Sequence, residues 1–287
     1  MYLVAGVSGR TGKVVADRLL SAGAAVRVLV REPGKGEAWA KLGAEVAVAD
    51  LGDQAAMGRA LDGVKGAWLL LPPFMNAADL LATQRARVAA IAGALRDSNV
   101  QHIVLLSSIG AQHAEGTGPI RALHHAEQAL AGVTPRTTWL RAAYFLENWA
   151  GSLGALKDSV FPTFVDPDRP IDMVATADIG RVAADTLLAG GLEGNEIIEL
   201  ASGPGPYTPR DIARVAGRQF GRPLRVVFEP TERLVPTFTQ MGASENVARL
   251  FEEMTRAVNH GQVAWSHQGW FFRGPHTAED VVAKLLG

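Results

Sequence analysis

Three glycines early in the chain have the spacing of a phosphate-binding loop. Residues 6–12 are Gly-Val-Ser-Gly-Arg-Thr-Gly, a G-x-x-G-x-x-G pattern. The first glycine allows a tight turn, the second lets the backbone approach a pyrophosphate, and the third lets the next helix pack closely on the preceding strand. The candidate phosphate-binding residues of this loop are Gly6, Ser8, Gly9, Arg10, Thr11 and Gly12. The pattern predicts a dinucleotide site; the alternative is a tight turn that binds no ligand.

The residue after the second strand-like run indicates which dinucleotide would bind. Arg31 occupies this position, where an acid would bind the ribose 2′-hydroxyl of NADH and an arginine would bind the 2′-phosphate of NADPH. Arg10, in the glycine loop, is expected to reach the same phosphate. We therefore expect NADP as the cofactor, with NADPH preferred over NADH. The alternative is a solvated charged turn, since Glu32 follows Arg31 directly.

Three further apolar runs end at residues that could contact a dinucleotide. Asp50 is expected near the adenine, or else acts as a helix-capping or turn acid. Leu71 and Pro72 are expected to line the cofactor. Ser107 and Ser108 are expected to bind the nicotinamide carboxamide or the acceptor; alternatively they satisfy strand-end amides.

The composition excludes several classes of protein. The 287 residues include no cysteine, which excludes disulfides, a thiolate nucleophile and cysteine metal sites. A net charge of −1 gives no basic surplus, so we expect no nucleic-acid partner. No apolar run approaches the roughly 20 residues of a membrane span, and Met1 leads directly into a strand, so we expect a cytoplasmic protein without membrane contact. The histidines lack metal-ligand spacing and no G-x-S-x-G motif occurs, so neither a metal site nor a serine hydrolase is expected.

Strand-like and helix-like segments alternate along the first 110 residues, and they would position these candidates. The strand-like runs are apolar on both faces, which is typical of a parallel sheet covered by helices on both sides. Ligands of such sheets bind beyond the carboxyl ends of the strands. We predict an α/β fold, a Rossmann-like doubly wound parallel sheet with a smaller C-terminal α/β cap lobe.

The predicted domains divide the chain unevenly. Residues 1–155 and about 170–201 are expected to form the NAD(P)-binding domain, and about 156–169 and 202–287 the cap lobe that contacts the substrate. Residues 161–171, with three prolines, are expected to be a loop. Two or three helices are expected after residue 228. No motif indicates an oligomeric state, and a homodimer is the commonest outcome.

Four segments resemble the NmrA-like group of atypical short-chain dehydrogenases. They are residues 4–12, 29–31, 105–111 and 140–148, the last being Leu-Arg-Ala-Ala-Tyr-Phe-Leu-Glu-Asn, and residues 273–280 extend the resemblance. The group includes NADPH-dependent quinone and triarylmethane-dye reductases, and a redox-sensing regulator that binds the dinucleotide without turnover. The resemblance implies hydride transfer from NADPH to a quinone, dye or similar conjugated acceptor. The alternative that it leaves is a non-catalytic NAD(P) sensor that binds a protein partner.

The catalytic Tyr-x-x-x-Lys pair of the wider superfamily is absent from this chain. Asn148 stands four residues after Tyr144, and Asp211 four residues after Tyr207. The tyrosine of that pair protonates a carbonyl oxygen. We therefore expect an acceptor whose reduction does not require a closely positioned proton donor. We therefore expect a small, flat, apolar electron acceptor, and favour an enzyme over the sensor.

The candidates for catalysis are two histidines and a tyrosine. The resemblance places a histidine or lysine near the nicotinamide, and His124 and His125 fall in that region. Tyr144 follows the sixth strand-like run. Glu127 either orients His124 or forms an ion pair with Arg141.

Two groups of side chains are expected to enclose the substrate, or else to be ordinary core. The wall would consist of Tyr144, Phe145, Asn148 and Trp149, and the lid of Phe238, Met241, Phe251 and Met254. The spacing of the second group also suits a simple pair of amphipathic helices.

Overall fold

The centre of the fold is a parallel sheet of eight strands. The computed structural model describes residues 1–287, with the backbone alone described for Leu156. The strands are β1 Tyr2–Ala5, β2 Val26–Val30, β3 Glu45–Val48, β4 Gly66–Leu69, β5 His102–Ser108, β6 Arg136–Ala142, β7 Tyr144–Phe145, β8 Val160–Thr163, β9 Met173–Val174, β10 Gly194–Ser202, β11 Arg225–Phe228 and β12 Trp270–Gly274. The large sheet has the order β12-β10-β6-β5-β4-β1-β2-β3. Two parallel pairs, β7 with β9 and β8 with β11, lie outside it.

Helices cover both faces of this sheet. The helices of the protein are α1 Arg10–Ser21, α2 Glu37–Lys41, α3 Gln54–Leu61, α4 Leu80–Arg96, α5 Ile120–Leu130, α6 Ala150–Leu153, α7 Thr176–Ala189, α8 Pro209–Phe220, α9 Leu234–Gln240, α10 Glu245–Asn259 and α11 Ala278–Leu286. One core cluster joins the sheet to α1 and α7, and a second joins it to α3, α4 and α5. Within residues 1–287, no helix combines the length and apolar character that a membrane crossing requires.

Successive residues of the central strands face opposite cores. In β1, Leu3 belongs to one cluster and Val4 to the other, and both are fully buried. This is why the strands are apolar at every position rather than at alternate ones. The predicted doubly wound α/β fold is confirmed.

A third apolar cluster builds a smaller lobe at one end of the sheet. It contains Trp149, Phe161, Ile212 and Val282, which bring together the segment after β6, β8, α8 and α11. The ring centroids of Trp149 and Phe161 are 5.4 Å apart. Trp149 is therefore part of this core and not a wall of an open pocket.

Two expectations from the sequence were wrong in detail. Part of the predicted loop 161–171 is strand β8, because Phe161 is buried and pairs with Val226 of β11. Pro162 is tolerated there because a strand of a two-stranded pair has an open edge. Residues 270–274, which fall in the predicted cap lobe, instead form strand β12 and pair with β10 in the central sheet. Its aromatic residues are exposed at the edge, so it lacks the buried apolar pattern of the other strands.

Candidate cofactor and acceptor sites

The glycine loop leaves β1 in a conformation that only glycine allows without strain. Gly6 has φ +68°, and a Cβ on it would lie 2.6 Å from a methyl group of Leu70. A Cβ on Gly12 would lie 2.4 Å from the carbonyl oxygen of Gly6, so this glycine lets α1 approach the strand. Gly9 precedes α1, and no side chain caps the helix there. The first amides of α1 are thus left for a ligand, which the helix dipole favours if it is anionic.

A cavity of about 330 Å³ lies against this loop, and we call it the glycine-loop cavity. Its lining includes the predicted residues Gly6, Ser8, Gly9, Arg31, Asp50 and Pro72, together with Leu70, Pro73, Phe74, Lys35 and Arg87. The structure therefore brings together six of the twelve predicted cofactor residues, drawn from the ends of β1, β2 and β3 and the segment after β4.

The other predicted residues of this region lie close to the cavity without lining it. Thr11 and Gly12 are buried in the first turn of α1, and Arg10 is exposed at its start. Leu71 packs against the core on the α4 side of the sheet, and Leu70 lines the cavity instead. Strand β4 ends at Leu69, and Leu71 packs against the same apolar cluster as Ala67 and Leu69, so its side chain points into the core and not into the cavity.

The ionisable groups of the glycine-loop cavity are mostly cationic. Lys35 pairs with Glu32 at 2.9 Å on the exposed side, and Arg87 donates to Asp50 Oδ1 at 3.0 Å. Within residues 1–287, Arg31 has no carboxylate partner. Partial burial acts to raise the pKa of Asp50, but the Gly52 amide and Arg87 outweigh it and hold this pKa below its ordinary value. Asp50 is therefore ionised at neutral pH, and the cavity retains an excess of positive charge.

Arg87 is a site residue that the sequence analysis missed. It lies on α4, 8% exposed, with its guanidinium 4.2 Å above the Phe74 ring. Its Nε and Nη1 atoms have no hydrogen-bond partner among the described residues. Buried donors of this kind are costly unless something accepts from them. The sequence pattern could have indicated Arg87, because it places this arginine on the face of α4 that also carries the buried residues Gln84 and Val88.

A second, larger cavity of about 470 Å³ lies beyond the ends of β5 and β6, and we call it the aromatic cavity. Its lining includes Ser108, Tyr144, Phe145 and Asn148, as the sequence predicted, and Phe251 and Met254 from α10. The walls are completed by Ile109, Ile120, Val258, Val263 and Trp265. Two predicted lid residues lie elsewhere: Phe238 packs on Phe251 with ring centroids 5.4 Å apart, and Met241 is 78% exposed.

Tyr144 lines the aromatic cavity, and its hydroxyl group is neutral. Burial raises the pKa of Tyr144 to about 12, although a hydrogen bond with Asn148 acts in the opposite direction. No lysine lines the cavity. Tyr144 is thus a hydrogen-bond donor over the whole physiological range, and it lacks the neighbouring cation that would make it a stronger acid.

His124 and His125 line a different cavity, of about 180 Å³, together with Arg85 and Arg121. The Nδ1 atom of His124 lies 2.8 Å from the carbonyl oxygen of Ala111. Burial, Arg85 and His124 all lower the pKa of His125. The lining of the aromatic cavity includes Ile120 at the start of α5 but neither of these histidines.

The two serines at the end of β5 point to different surroundings. Ser107 is buried and donates to Glu127 at 2.5 Å, whereas Ser108 lines the aromatic cavity. Glu127 also forms a buried, two-point ion pair with Arg141, at 3.0 and 2.6 Å. The structural alternative for Glu127 is confirmed, and the Ser107 hydroxyl is engaged inside the protein.

Comparison with known proteins places this architecture in a family. The sequence model of the NmrA-like family matches residues 2–269. A (4-alkanoyl-5-oxo-2,5-dihydrofuran-3-yl)methyl phosphate reductase of Streptomyces griseus is 32% identical over 226 residues, which cover 78% of this chain and 76% of that protein. Quinone oxidoreductase 2 of Escherichia coli is 30% identical over 229 residues, covering 77% and 75%.

Solved structures show the same fold over the whole chain. The NADPH-dependent quinone oxidoreductase of Escherichia coli superposes with a TM-score of 0.81 at 23% identity, covering 100% of both chains. The triphenylmethane reductase of a Citrobacter species, solved with NADP(H), gives a TM-score of 0.83 at 20% identity, covering 99% of this chain and 100% of that one. On this evidence, the chain belongs to the NmrA-like family.

Proposed function

We propose that this protein is an NADPH-dependent oxidoreductase that transfers hydride to a quinone, a dye or a similar conjugated acceptor. The observation that carries the proposal is the pair of cavities at one edge of the sheet. The glycine-loop cavity is rich in cations, and the aromatic cavity is largely apolar. Strands β4 and β5, whose ends separate the two cavities, are neighbours in the sheet. A dinucleotide lying along this edge would direct its nicotinamide towards the aromatic cavity.

The proposed cofactor contacts follow from the cavity lining. Gly6, Ser8 and Gly9, with the first amides of α1, bind the pyrophosphate, while Thr11 and Gly12 keep that turn tight. Arg31, assisted by Arg10 and Lys35, binds the 2′-phosphate. The described residues leave Oδ2 of Asp50 without a donor, so it can accept from the adenine amino group.

The remaining cofactor contacts involve the segment after β4 and the end of β5. Pro72 covers the cofactor, and Arg87 donates to it through the two nitrogens that lack partners. Leu71 and Ser107 support this lining from inside the protein. Ser108 contacts the nicotinamide or the acceptor from the aromatic cavity.

The chain's own residues supply orientation and a proton donor. Bound NADPH supplies the hydride, and reduction of a quinone to a hydroquinone consumes that hydride and one proton in addition. Apolar walls hold a flat acceptor and exclude water, and Tyr144 donates a hydrogen bond to the oxygen that gains negative charge. His124 and His125 are no longer the first candidates for this role, because they line a separate cavity.

The test is NADPH oxidation against quinones, triarylmethane dyes, azo dyes and enals. We expect turnover of at least one class, with NADPH a better donor than NADH. Tight NADP binding without turnover of any of these would support the alternative, a sensor that binds a protein partner. The apolar cavity of about 470 Å³ favours the enzyme, because a sensor that only binds dinucleotide does not need a second pocket.

A further inference from the structure

The aromatic cavity contains one charge that the protein does not balance. Apart from Tyr144, the charged or titratable residues of its lining are Arg169, Asp172 and His267. Asp172 is occupied at both oxygens, since Arg273 donates to Oδ1 at 2.8 Å and the Trp265 indole donates to Oδ2 at 2.8 Å. Arg169 makes no side-chain hydrogen bond or ion pair with any of the residues that the structure describes. The cavity therefore presents a guanidinium with open donors beside apolar walls.

Nearby carboxylates do not pair with Arg169, although three are close in sequence. Asp166 accepts the Asp168 amide at 3.0 Å, and Asp168 forms a two-point ion pair with Arg210 at 2.8 and 2.9 Å. Asp172 is held by Arg273 and Trp265, as described above. None of these three carboxylates lies within ion-pair distance of the Arg169 guanidinium.

The backbone on both sides of Arg169 is held by hydrogen bonds, and its guanidinium packs on Gly261. Asn259 holds the preceding segment by accepting the Asp166 amide at 2.9 Å, and Ile171 exchanges backbone hydrogen bonds of 3.0 Å with Tyr207. Across the cavity wall stands Gly261, at φ +75°, where a Cβ would come within 2.0 Å of Arg169 Nη2. The Arg169 guanidinium thus occupies space that a side chain at position 261 would fill.

We propose that Arg169 binds an oxyanion substituent on the electron acceptor. The acceptor would then be a flat conjugated body carrying a carboxylate, sulfonate or phosphate group, the body against the apolar walls and the oxyanion on the guanidinium. Planar guanidinium donors match such groups geometrically, and a partly desolvated site strengthens the contact. This inference rests on the proposed function, because it names the acceptor class of the same site.

The kinetic test compares two acceptors that differ in charge. The ratio of kcat/KM for 1,4-naphthoquinone-2-sulfonate to that for 1,4-naphthoquinone is measured in the wild type and in Arg169→Gln, Arg169→Lys and Arg218→Gln. We expect the ratio to fall about 10- to 100-fold in Arg169→Gln, mainly through KM of the sulfonate, as for loss of a charge-assisted contact. Arg169→Lys should recover part of the loss. The ratio should be unchanged in Arg218→Gln, whose guanidinium pairs with Glu279 outside the cavity. An unchanged ratio in Arg169→Gln would overturn the inference.

A binding measurement separates this inference from the proposed function. Quenching of tryptophan fluorescence by naphthalene-2-sulfonate, 1-naphthoate and 1-naphthyl phosphate is followed in the NADP-loaded protein, since Trp265 lines the cavity. If these probes bind more weakly to Arg169→Gln, the oxyanion site is supported even when no quinone is reduced. In that case only the proposed reductase activity is contradicted. Equal binding in wild type and variant would remove the oxyanion site even if quinones are reduced. The order of the three probes distinguishes a carboxylate from a sulfonate or phosphate substituent.

Discussion

Among the described residues, Arg31 differs from its cationic neighbours because no carboxylate lies within ion-pair distance of it. Lys35 pairs with Glu32 and Arg87 with Asp50. In Arg31→Ala we expect NADPH affinity to fall by about 1.5–3 kcal/mol, or roughly 10- to 150-fold, because a charge-assisted contact with the 2′-phosphate is lost. NADH affinity should hardly change. Fluorescence titration with both nucleotides measures the difference.

The control for Arg31 is an arginine of similar exposure elsewhere. Arg18 pairs with Asp185 outside the cavity, so Arg18→Ala should leave both affinities as they are. If wild type binds NADH and NADPH equally well, the assignment of Arg31 to the 2′-phosphate is wrong.

Tyr144 allows a prediction about pH. With a pKa of about 12, its hydroxyl stays protonated up to strongly alkaline conditions, so turnover should show no ionisation of this group between pH 6 and about pH 10. Tyr144→Phe should lower kcat/KM roughly 10- to 150-fold, because a hydrogen bond to the oxygen that gains negative charge is lost, and such a bond is worth about 1.5–3 kcal/mol. A break near neutral pH that disappears in Tyr144→Phe would contradict the assignment.

Hydrogen bonds connect helix α10, at the aromatic cavity, to the segment that lines the glycine-loop cavity. Ser244, which caps it, donates its amide to Met75 at 2.7 Å and its hydroxyl to Ala77 at 2.5 Å. Asn246 accepts the Leu80 amide at 3.0 Å. These contacts attach α10, which lines the aromatic cavity, to the segment after β4, which lines the glycine-loop cavity.

Cofactor binding is therefore expected to stabilise α10 at a distance. When NADPH binds, hydrogen exchange should slow in residues 245–259 as well as in residues 6–12. The reason is that bound cofactor orders the segment after β4, and this segment is hydrogen-bonded to α10. Replacing Asn246 by Ala should weaken the effect in α10 and leave the glycine loop protected. Protection confined to the glycine loop in the wild type would show that the elements are not coupled.

The elements differ in how far the sequence determines their role in the site. The position of the glycine loop and of Arg31 in the cavity lining was predictable, because a turn after a buried strand constrains the backbone locally and Arg31 follows the next strand directly. His124 and His125 were not placed, because sequence spacing does not show which face of α5 meets which neighbour. Arg169 was missed because its proposed role depends on Gly261, which only the tertiary fold brings near it, and on the contacts that Arg273 and Trp265 make with Asp172.

At the scale of the whole molecule, His102 links stability to pH. It is buried at the start of β5 with Nε2 2.9 Å from Thr138 Oγ1. Burial, with a smaller effect of Arg136, lowers the pKa of His102 to about 4. In the unfolded chain the His102 imidazole takes up a proton near pH 6.5, whereas in the folded protein it stays neutral down to about pH 4. The free energy of unfolding should therefore decrease as the pH falls from about 6.5 to about 4.

Chemical denaturation at pH 7 and pH 5 measures this effect. His102→Gln should show a smaller difference between the two pH values than the wild type, whatever its stability at pH 7. A surface control, His260→Gln, should keep the wild-type difference. An equal difference in wild type and His102→Gln would mean that other groups cause the acid sensitivity.

Strand β12 also has a consequence for the order in which the molecule forms. Strands β1 to β4 lie within the first 69 residues and pair with one another. In contrast, β10 can pair along its outer edge, where Ile198 is opposite Trp270, only after β12 has been synthesised. During synthesis, the half of the sheet that carries the glycine loop can therefore form early, while the outer edge of β10 stays unpaired until β12 emerges. An unpaired edge invites association with other chains, so aggregation of nascent or truncated chains should begin at β10.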